Sequence, residues 1–513
     1  MLLAFVVLNG LLVVPALALP GAAPWLTLEA LVIWWLLHHQ PARRIRLVLL
    51  FSIFYALFVG LVIADALVRQ SLGRGLNLYL EAGLLDSAWH LLHNNLGMIG
   101  AVLMVAVLVL AAVLVGWLFR CVALHLAQRT PRHGRPLWIA SAALLMLAVL
   151  TPWVGSPALA FVANQGSLIR HSHQAATAFR AELDLAPTAA RQAQALPGLA
   201  NTDVVLAFVE SYGISGLTDD RYRPVLGPRL ATLAEQLAEA GLTVATGRLA
   251  SPIQGGQSWL GHLSVLSGQW INNQIVYDTF LSSDYPTLID DFRMTGHHTL
   301  AVMPAITRDW PEGQLFGYHR IYDHDDLGYQ GPAFNWVTMP DQFTWQRLEQ
   351  LRQATETPVF AELALISSHA PWVPILPVLD DWETLGDGRV FDQWAGMGEA
   401  PVSLWRDPDR VRDHYIRAVD YALAAAGGFA TRYLTDDTLL IILGDHQPAP
   451  LITGDDASKD VIVHVISRNP ALVAPFLSGQ LPGFQPGTLP DLTTHGAPMN
   501  RFRGFLLSQF GES

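Results

Sequence analysis

Apolar residues crowd the first third of the chain. Five stretches carry almost no charge: Leu2–Leu19, Trp25–Leu37, Val48–Ala66, Met98–Phe119 and Leu137–Val154. A bilayer-spanning helix needs about 20 mostly apolar residues. The pattern therefore predicts five membrane helices, the second of them short. The first run has a second reading as a signal peptide, because Val14-Pro15-Ala16-Leu17-Ala18 resembles a cleavage site. No basic residue precedes it, which favours a retained helix.

The texture then changes twice. Residues 158–202 are rich in Ala, Gln and Leu and contain Pro187 and Pro197, which predicts a juxtamembrane helix followed by a linker. From Asp203 onward, short runs rich in Val, Ile and Leu alternate with helical patterns. The expected strands are Val204–Val209, Leu242–Ala245, Thr299–Met303, Val359–Ile366, Leu439–Leu443 and Val461–Ile466. Helices are expected over Arg229–Ala240, Tyr285–Met294 and Arg410–Leu434. Buried strands alternating with helices predict an α/β domain around a central, mostly parallel sheet. The expected organisation is a transmembrane helical bundle over 1–157, a connector over 158–202 and an α/β domain over 203–513.

Composition agrees with a membrane component. Of 513 residues, 51% are hydrophobic and 14% charged, and the mean hydropathy is +0.32. Charge is divided unevenly. Up to Gly155 there are 9 Arg, no Lys and 4 acids (Glu29, Asp65, Glu81, Asp86), a net of +5; the whole chain carries −12, so the remainder carries −17. So acidic a soluble part would repel phosphate backbones and excludes a nucleic-acid partner. The single cysteine, Cys121, lies in the apolar part, so the soluble part has neither a disulfide nor a thiolate metal site.

Arginines fix the expected orientation. Arg43, Arg44 and Arg46 follow the second apolar run, and Arg120, Arg129, Arg132 and Arg135 follow the fourth. Loops rich in arginine face the cytoplasm. This predicts a cytoplasmic N-terminus, an outward loop over Val68–Leu96 and an extracytoplasmic C-terminal domain. In a bacterium the location would be the inner membrane. Trp25, Trp117 and Trp153 fit interfacial anchoring, and Asp65 and Glu29 read as carboxylates reaching interfacial water.

In a parallel α/β sheet, ligands gather beyond the carboxyl ends of the strands, and polar residues appear there. The first soluble strand runs into Glu210-Ser211-Tyr212-Gly213. The run Leu439–Leu443 ends in Gly444-Asp445-His446-Gln447-Pro448, with the glycine expected to allow a tight turn. A third run ends in Ser367-Ser368-His369-Ala370-Pro371-Trp372. Two carboxylates and an imidazole form a donor set for Zn²⁺ or Mn²⁺. A nucleophile is offered by Gln254-Gly255-Gly256-Gln257-Ser258-Trp259-Leu260, a glycine-bearing loop entering a helix predicted over Trp259–Leu266. Ser258 then lies at a helix N-terminus, which favours anions.

These four motifs, in the chain order Glu210, Ser258, His369 and Asp445-His446, resemble the sulfatase-like branch of the alkaline phosphatase superfamily. With the preceding spans, the architecture is similar to lipoteichoic acid synthases, phosphoethanolamine transferases and phosphoglycerol transferases. The resemblance implies that Glu210, Asp445 and His446 bind one divalent ion, Zn²⁺ or Mn²⁺, together with Ser258. It implies a phosphorylated Ser258, and contact with substrate or proton donation by His369. Substrate binding by Arg308, His369 and Trp372 is expected on the same basis. The implied partners are a phospholipid donor and a glycan or lipid acceptor.

The chain departs from the family in two places. Membrane-bound transferases of this kind usually carry Thr where Ser258 stands. The stretch Met303–Trp310 offers Arg308 but not the histidine of teichoic-acid enzymes. Sulfatases need a formylglycine motif with Pro and Arg shortly after the modified residue; Ser258 is followed by Trp259-Leu260-Gly261-His262, so sulfate ester hydrolysis is disfavoured. Water as the acceptor, giving a phosphodiesterase or phosphatase, stays open. A sensor or a transporter with an attached ectodomain are non-enzymatic alternatives. His464 reads as a packed strand histidine. His297-His298 and the polar group His319, Asp323, His324, Asp325 and Asp326 read as turns.

Overall fold

A computed structural model describes residues 2–21, 24–82, 85–128 and 153–512. The chain divides into two compact units, one of Met1–Gln70 with Arg74–Ala175, the other of Ser71–Gly73 with Ala176–Ser513.

The first unit is helical: α1 (Leu2–Ala16), α2 (Leu28–His39), α3 (Arg44–Leu72), α4 (Leu85–Gln128) and the start of α5 (Pro157–Leu185). Among the described residues two helical segments are long and apolar enough to cross a membrane, Arg44–Leu72 and Leu96–Leu126, with mean hydropathy 2.8 and 3.1. They correspond to the third and fourth predicted spans. The first two predicted spans form shorter helices, α1 and α2, and the fifth falls almost wholly outside the described residues. Gly97, at φ 68°, interrupts α4 in a conformation that glycine adopts without a Cβ penalty. Trp25, Trp117 and Trp153 are exposed. Asp65 differs from its expectation: it is buried, accepting from the Leu76 N–H at 2.8 Å and pairing with Arg69 at 2.7 Å. The backbone N–H of Leu76 needs a partner there, and the carboxylate supplies it.

The second unit holds a mixed sheet of nine strands: β1 (Asp203–Val209), β2 (Thr243–Ala250), β3 (His298–Val302), β4 (Arg320–Tyr322), β5 (Val359–Leu365), β6 (Thr438–Gly444), β7 (Asp460–Ser467), β8 (Gln485–Pro486) and β9 (Ala497–Pro498). The order is β8-β2-β7-β6-β1-β5-β3-β4, with β9 also pairing β2. The segment β6-β1-β5-β3-β4 is parallel, as expected. The β8-β2, β2-β7 and β7-β6 pairs are antiparallel, which corrects the expectation of a mostly parallel sheet on that side.

Both faces of the sheet are covered, which is why its strands are nearly uniform in apolar character. Val205, Ala207 and Val209 of β1 face α6 (Arg223–Glu239), α9 (Asp341–Gln353) and α10 (Pro408–Tyr433). Helix α6 meets them with a stripe of Leu226, Leu230, Leu233 and Leu237, at helical spacing. Val204, Leu206 and Phe208 face the other layer, α7 (Ser258–Ser267), α8 (Leu288–Thr295) and α11 (Arg501–Phe510). Leu183, Leu196 and Leu199 are buried in that same layer. Part of the segment expected as a linker is therefore core, and the two compact units divide inside α5, after Ala175.

Candidate active site and metal centre

Strand alternation decides which side chains meet. Glu210 follows Val209 and shares the parity of Leu206 and Phe208; Asp445 follows Gly444 and shares that of Ile441 and Leu443. Both carboxylates therefore leave the sheet on the face covered by α7. Ligand atoms of Glu210, Asp445 and His446 lie within 4.8 Å of one another.

Gly444 permits this, though not by turning. It lacks the positive φ of a glycine turn, and a Cβ on it would stand 2.1 Å from the Tyr212 carbonyl oxygen. The requirement is close approach of two strand ends, which corrects the tight-turn expectation. Ser211, by contrast, is held at φ 57°, an unusual conformation for a residue with a side chain. Its N–H donates to Asp445 Oδ1 at 2.8 Å and its hydroxyl to Glu210 Oε1 at 2.9 Å. The His446 N–H adds a second backbone donor to Asp445 Oδ1, at 2.7 Å.

His446 has its nitrogens sorted. Nδ1 faces the Gln447 carbonyl at 2.8 Å and must carry a proton to bond there. Nε2 faces Glu210 at 3.5 Å and Asp445 at 3.6 Å. Burial lowers the imidazole's proton affinity, but the charges of Asp445 and Glu210 outweigh it and raise it above its ordinary value. Burial and the neighbouring Glu210 push Asp445 up to about 6. Burial also opposes ionisation of Glu210, yet His446 and His369 with the Ser211 hydrogen bond win, and its carboxyl lies below the usual range. A buried and a partly buried carboxylate beside an imidazole whose Nε2 faces them fit a divalent cation by donor chemistry.

Ser258 joins them. Gly255 and Gly256, at φ 77° and 145°, and Gln257, at φ 67°, turn the chain sharply into α7. Ser258 is the first residue of that helix, and its hydroxyl lies 3.2 Å from Glu210 Oε2 and 3.3 Å from His446 Nε2. Ser258 thus stands at the N-terminal end of α7, where the helix dipole favours an anion. A Cβ on Gly261 would be 2.7 Å from the Asp445 carbonyl oxygen, so α7 is seated directly on the Asp445 backbone.

His369 is half-buried on the loop after β5. Ser368 anchors that loop by donating to the Glu210 carbonyl at 2.6 Å, and His369 Nδ1 is tied to the Ala370 carbonyl at 2.6 Å. Its Nε2 is thereby left as the exchangeable nitrogen. Trp372 turns inward: it is 6% exposed, donates to the Ser368 carbonyl at 2.7 Å and stacks on Trp405. The indole holds the loop. Arg308 lies exposed on the segment after β3.

Several supporting residues were not anticipated. Buried Asp341 accepts from the N–H groups of Ile366 and Ser367, both at 2.9 Å, and so fixes the start of the His369 loop. His262 and Glu362 form a second polar pair beneath Ser258. The signal was present for Glu362, a lone acid inside an apolar strand. His464 is a packed histidine as expected, held between Tyr212 and Thr246 and pushed by burial down to about 3. His298 begins β3 rather than ending a turn.

No family model matches the chain, and no curated protein matches it. Solved structures do. The integral membrane lipooligosaccharide phosphoethanolamine transferase of Neisseria meningitidis is 12% identical, with 94% of this chain and 86% of that one covered at a TM-score of 0.45. The lipoteichoic acid synthase of Listeria monocytogenes is 15% identical over 53% of this chain and 66% of its own, at 0.37. The phosphoglycerol transferase of Streptococcus pyogenes, in complex with sn-glycerol-1-phosphate, is 13% identical over 57% and 73%, at 0.37.

Proposed function

We propose that the chain is a membrane-bound, metal-dependent phosphotransferase acting outside the cytoplasm, in the bacterial inner membrane. It moves a phospholipid-derived headgroup, of the phosphoglycerol or phosphoethanolamine type, to a glycan or lipid acceptor. The observation that carries this reading is the approach of Ser258 Oγ to Glu210 and His446, at 3.2 and 3.3 Å, from the N-terminus of a helix.

Glu210, Asp445 and His446, with Ser258, would hold one divalent ion, Zn²⁺ or Mn²⁺. Such an ion, when bound, favours the serine alkoxide and offsets charge on the phosphoryl oxygens. The remaining work falls to the chain itself. Ser258 Oγ attacks phosphorus in line, forming the Oγ–P bond as the bond to the leaving oxygen breaks. The first N–H groups of α7 receive the anionic oxygens. His369 Nε2 gives a proton to the leaving oxygen and recovers one from the acceptor hydroxyl that displaces the phosphoserine. Arg308 is the residue available to pair with the substrate phosphate, and Trp372 serves binding indirectly through the His369 loop. The arginine-rich segments support a cytoplasmic N-terminus and an extracytoplasmic catalytic domain.

The test uses the full-length protein in detergent, with metal analysis and a chromogenic phosphodiester. Ser258→Ala should abolish turnover and keep most of the metal; unchanged turnover would remove Ser258 from the mechanism. Lipid analysis of cells with and without the protein would then identify the modified product.

A further inference from the structure

Beneath Ser258, on the same helix, lies a polar chain that the proposed reaction does not use. His262 is four residues beyond Ser258, so the two side chains project from one side of α7. Its Nδ1 is 2.7 Å from Glu362 Oε1, and its ring stacks on Phe208 with centroids 3.7 Å apart at 15°. Glu362 is 2% exposed in the middle of β5, and its other oxygen accepts from the Tyr318 hydroxyl. Burial and the Glu362 charge hold that hydroxyl well above its ordinary proton affinity, so it remains a donor.

The spacing of this chain matches that of the site above it. Four helical residues rise ~6 Å and two strand residues advance ~6.7 Å. With Ser258 over Glu210, His262 therefore falls over Phe208, two residues earlier on β1. Glu362 is paired in register with Leu206, on the neighbouring strand. Its surroundings are apolar: Leu206, Phe208, Leu263 and Phe360 belong to this layer. An apolar side chain would fill such a space at less cost than a carboxylate with two donors, but it would not select one register of helix on sheet.

We propose that His262 and Glu362 are positioning residues for Ser258: their hydrogen bond locks α7 against β1 and β5 at the one register that brings the serine hydroxyl over Glu210 and His446. The proposal rests on Ser258 being the nucleophile. Tyr318 completes the lock by fixing the second carboxylate oxygen. Gly261 belongs to the same arrangement, because its missing side chain lets the helix approach the Asp445 backbone.

The experiment compares His262→Phe, which keeps a ring on Phe208 but loses the donor, with His262→Asn, whose amide nitrogen lies the same number of bonds from the backbone as Nδ1. The full-length, metal-loaded protein is assayed on a chromogenic phosphodiester, with metal content and phosphorus incorporation at Ser258 measured by mass spectrometry. His262→Phe should lose about 10–100-fold in kcat and in the rate of Ser258 phosphorylation, with KM and metal content within about twofold. His262→Asn should recover most of that loss. A folded His262→Phe with wild-type kcat overturns the proposal, as does an Asn variant no better than Phe. Should His262→Phe not fold, Tyr318→Phe takes its place: about a 3–10-fold loss of kcat at unchanged metal content is expected, and no loss overturns the lock. Ser258→Ala runs alongside. Turnover surviving in it is the failure of the nucleophile reading; a dead Ser258→Ala beside a fully active His262→Phe is the failure of the positioning claim alone.

Discussion

His446 presents Nε2 to Glu210 Oε1 at 3.5 Å because its other nitrogen is tied to a backbone carbonyl. The imidazole is thus oriented before any ligand arrives, and the carboxylates of Glu210 and Asp445 converge on the same point. Binding to such a centre stabilises the fold by mass action, about 2.7 kcal/mol at a hundredfold excess over the dissociation constant. A strong chelator should lower the melting temperature of the wild type and leave that of His446→Ala unmoved. Scanning calorimetry decides; a wild-type melt indifferent to chelation would count against the metal centre.

Asp341 predicts a pH dependence of stability. Burial, above all, pushes its carboxyl from 3.8 up to about 6. Between those values the folded chain keeps a proton that the unfolded chain releases. The contribution of this group is therefore complete below about pH 4 and lost as pH rises through about 6, a swing of up to about 3 kcal/mol. Asp341→Asn keeps the oxygen that receives Ile366 and Ser367 and removes the titration. Urea midpoints across this range should be flatter in the variant than in the wild type.

Gly444→Ala should be destabilising although the backbone there is ordinary strand. The added methyl meets the Tyr212 carbonyl at 2.1 Å and Val461 at 3.1 Å. Relieving that overlap parts β1 from β6 at their ends, at a cost of about 1–3 kcal/mol. The same separation pulls Asp445 from Glu210, so metal content should fall with the unfolding midpoint.

Trp372→Ala should act on the fold rather than on affinity. The indole is buried against Trp405 and Tyr415 and bonded to the Ser368 carbonyl. Its removal should cost about 3–5 kcal/mol and loosen the His369 loop. The expected signature is a lower melting temperature and lower kcat, with KM changed little. A raised KM at unchanged stability would instead make Trp372 a direct substrate contact.

The sequence displayed the elements whose burial is uniform. Val204–Val209 and Leu439–Leu443 announced themselves as apolar runs, and the residues closing them, Glu210 and Asp445-His446, were legible for that reason. Helix α9 was not anticipated, because Asp341, Gln342, Thr344 and Glu349 are polar yet buried. Strand β4 is only three residues long and carries no pattern. The antiparallel pairing of β2 with β7 depends on connections that residue periodicity does not encode. His262 and Glu362 are 100 positions apart, and only folding reveals that an acid in one strand answers a histidine in one helix.

The sheet order also bears on how the protein behaves in a crowded periphery. At one margin lies Arg320–Tyr322, three residues long; at the other, Gln485–Pro486, two residues long and ending in proline. Neither rim presents enough free amide and carbonyl groups for a second polypeptide to add itself as a further strand. The broad, strongly apolar interior of the sheet is thereby sealed against template-driven aggregation, a safeguard that works before any chaperone is called upon.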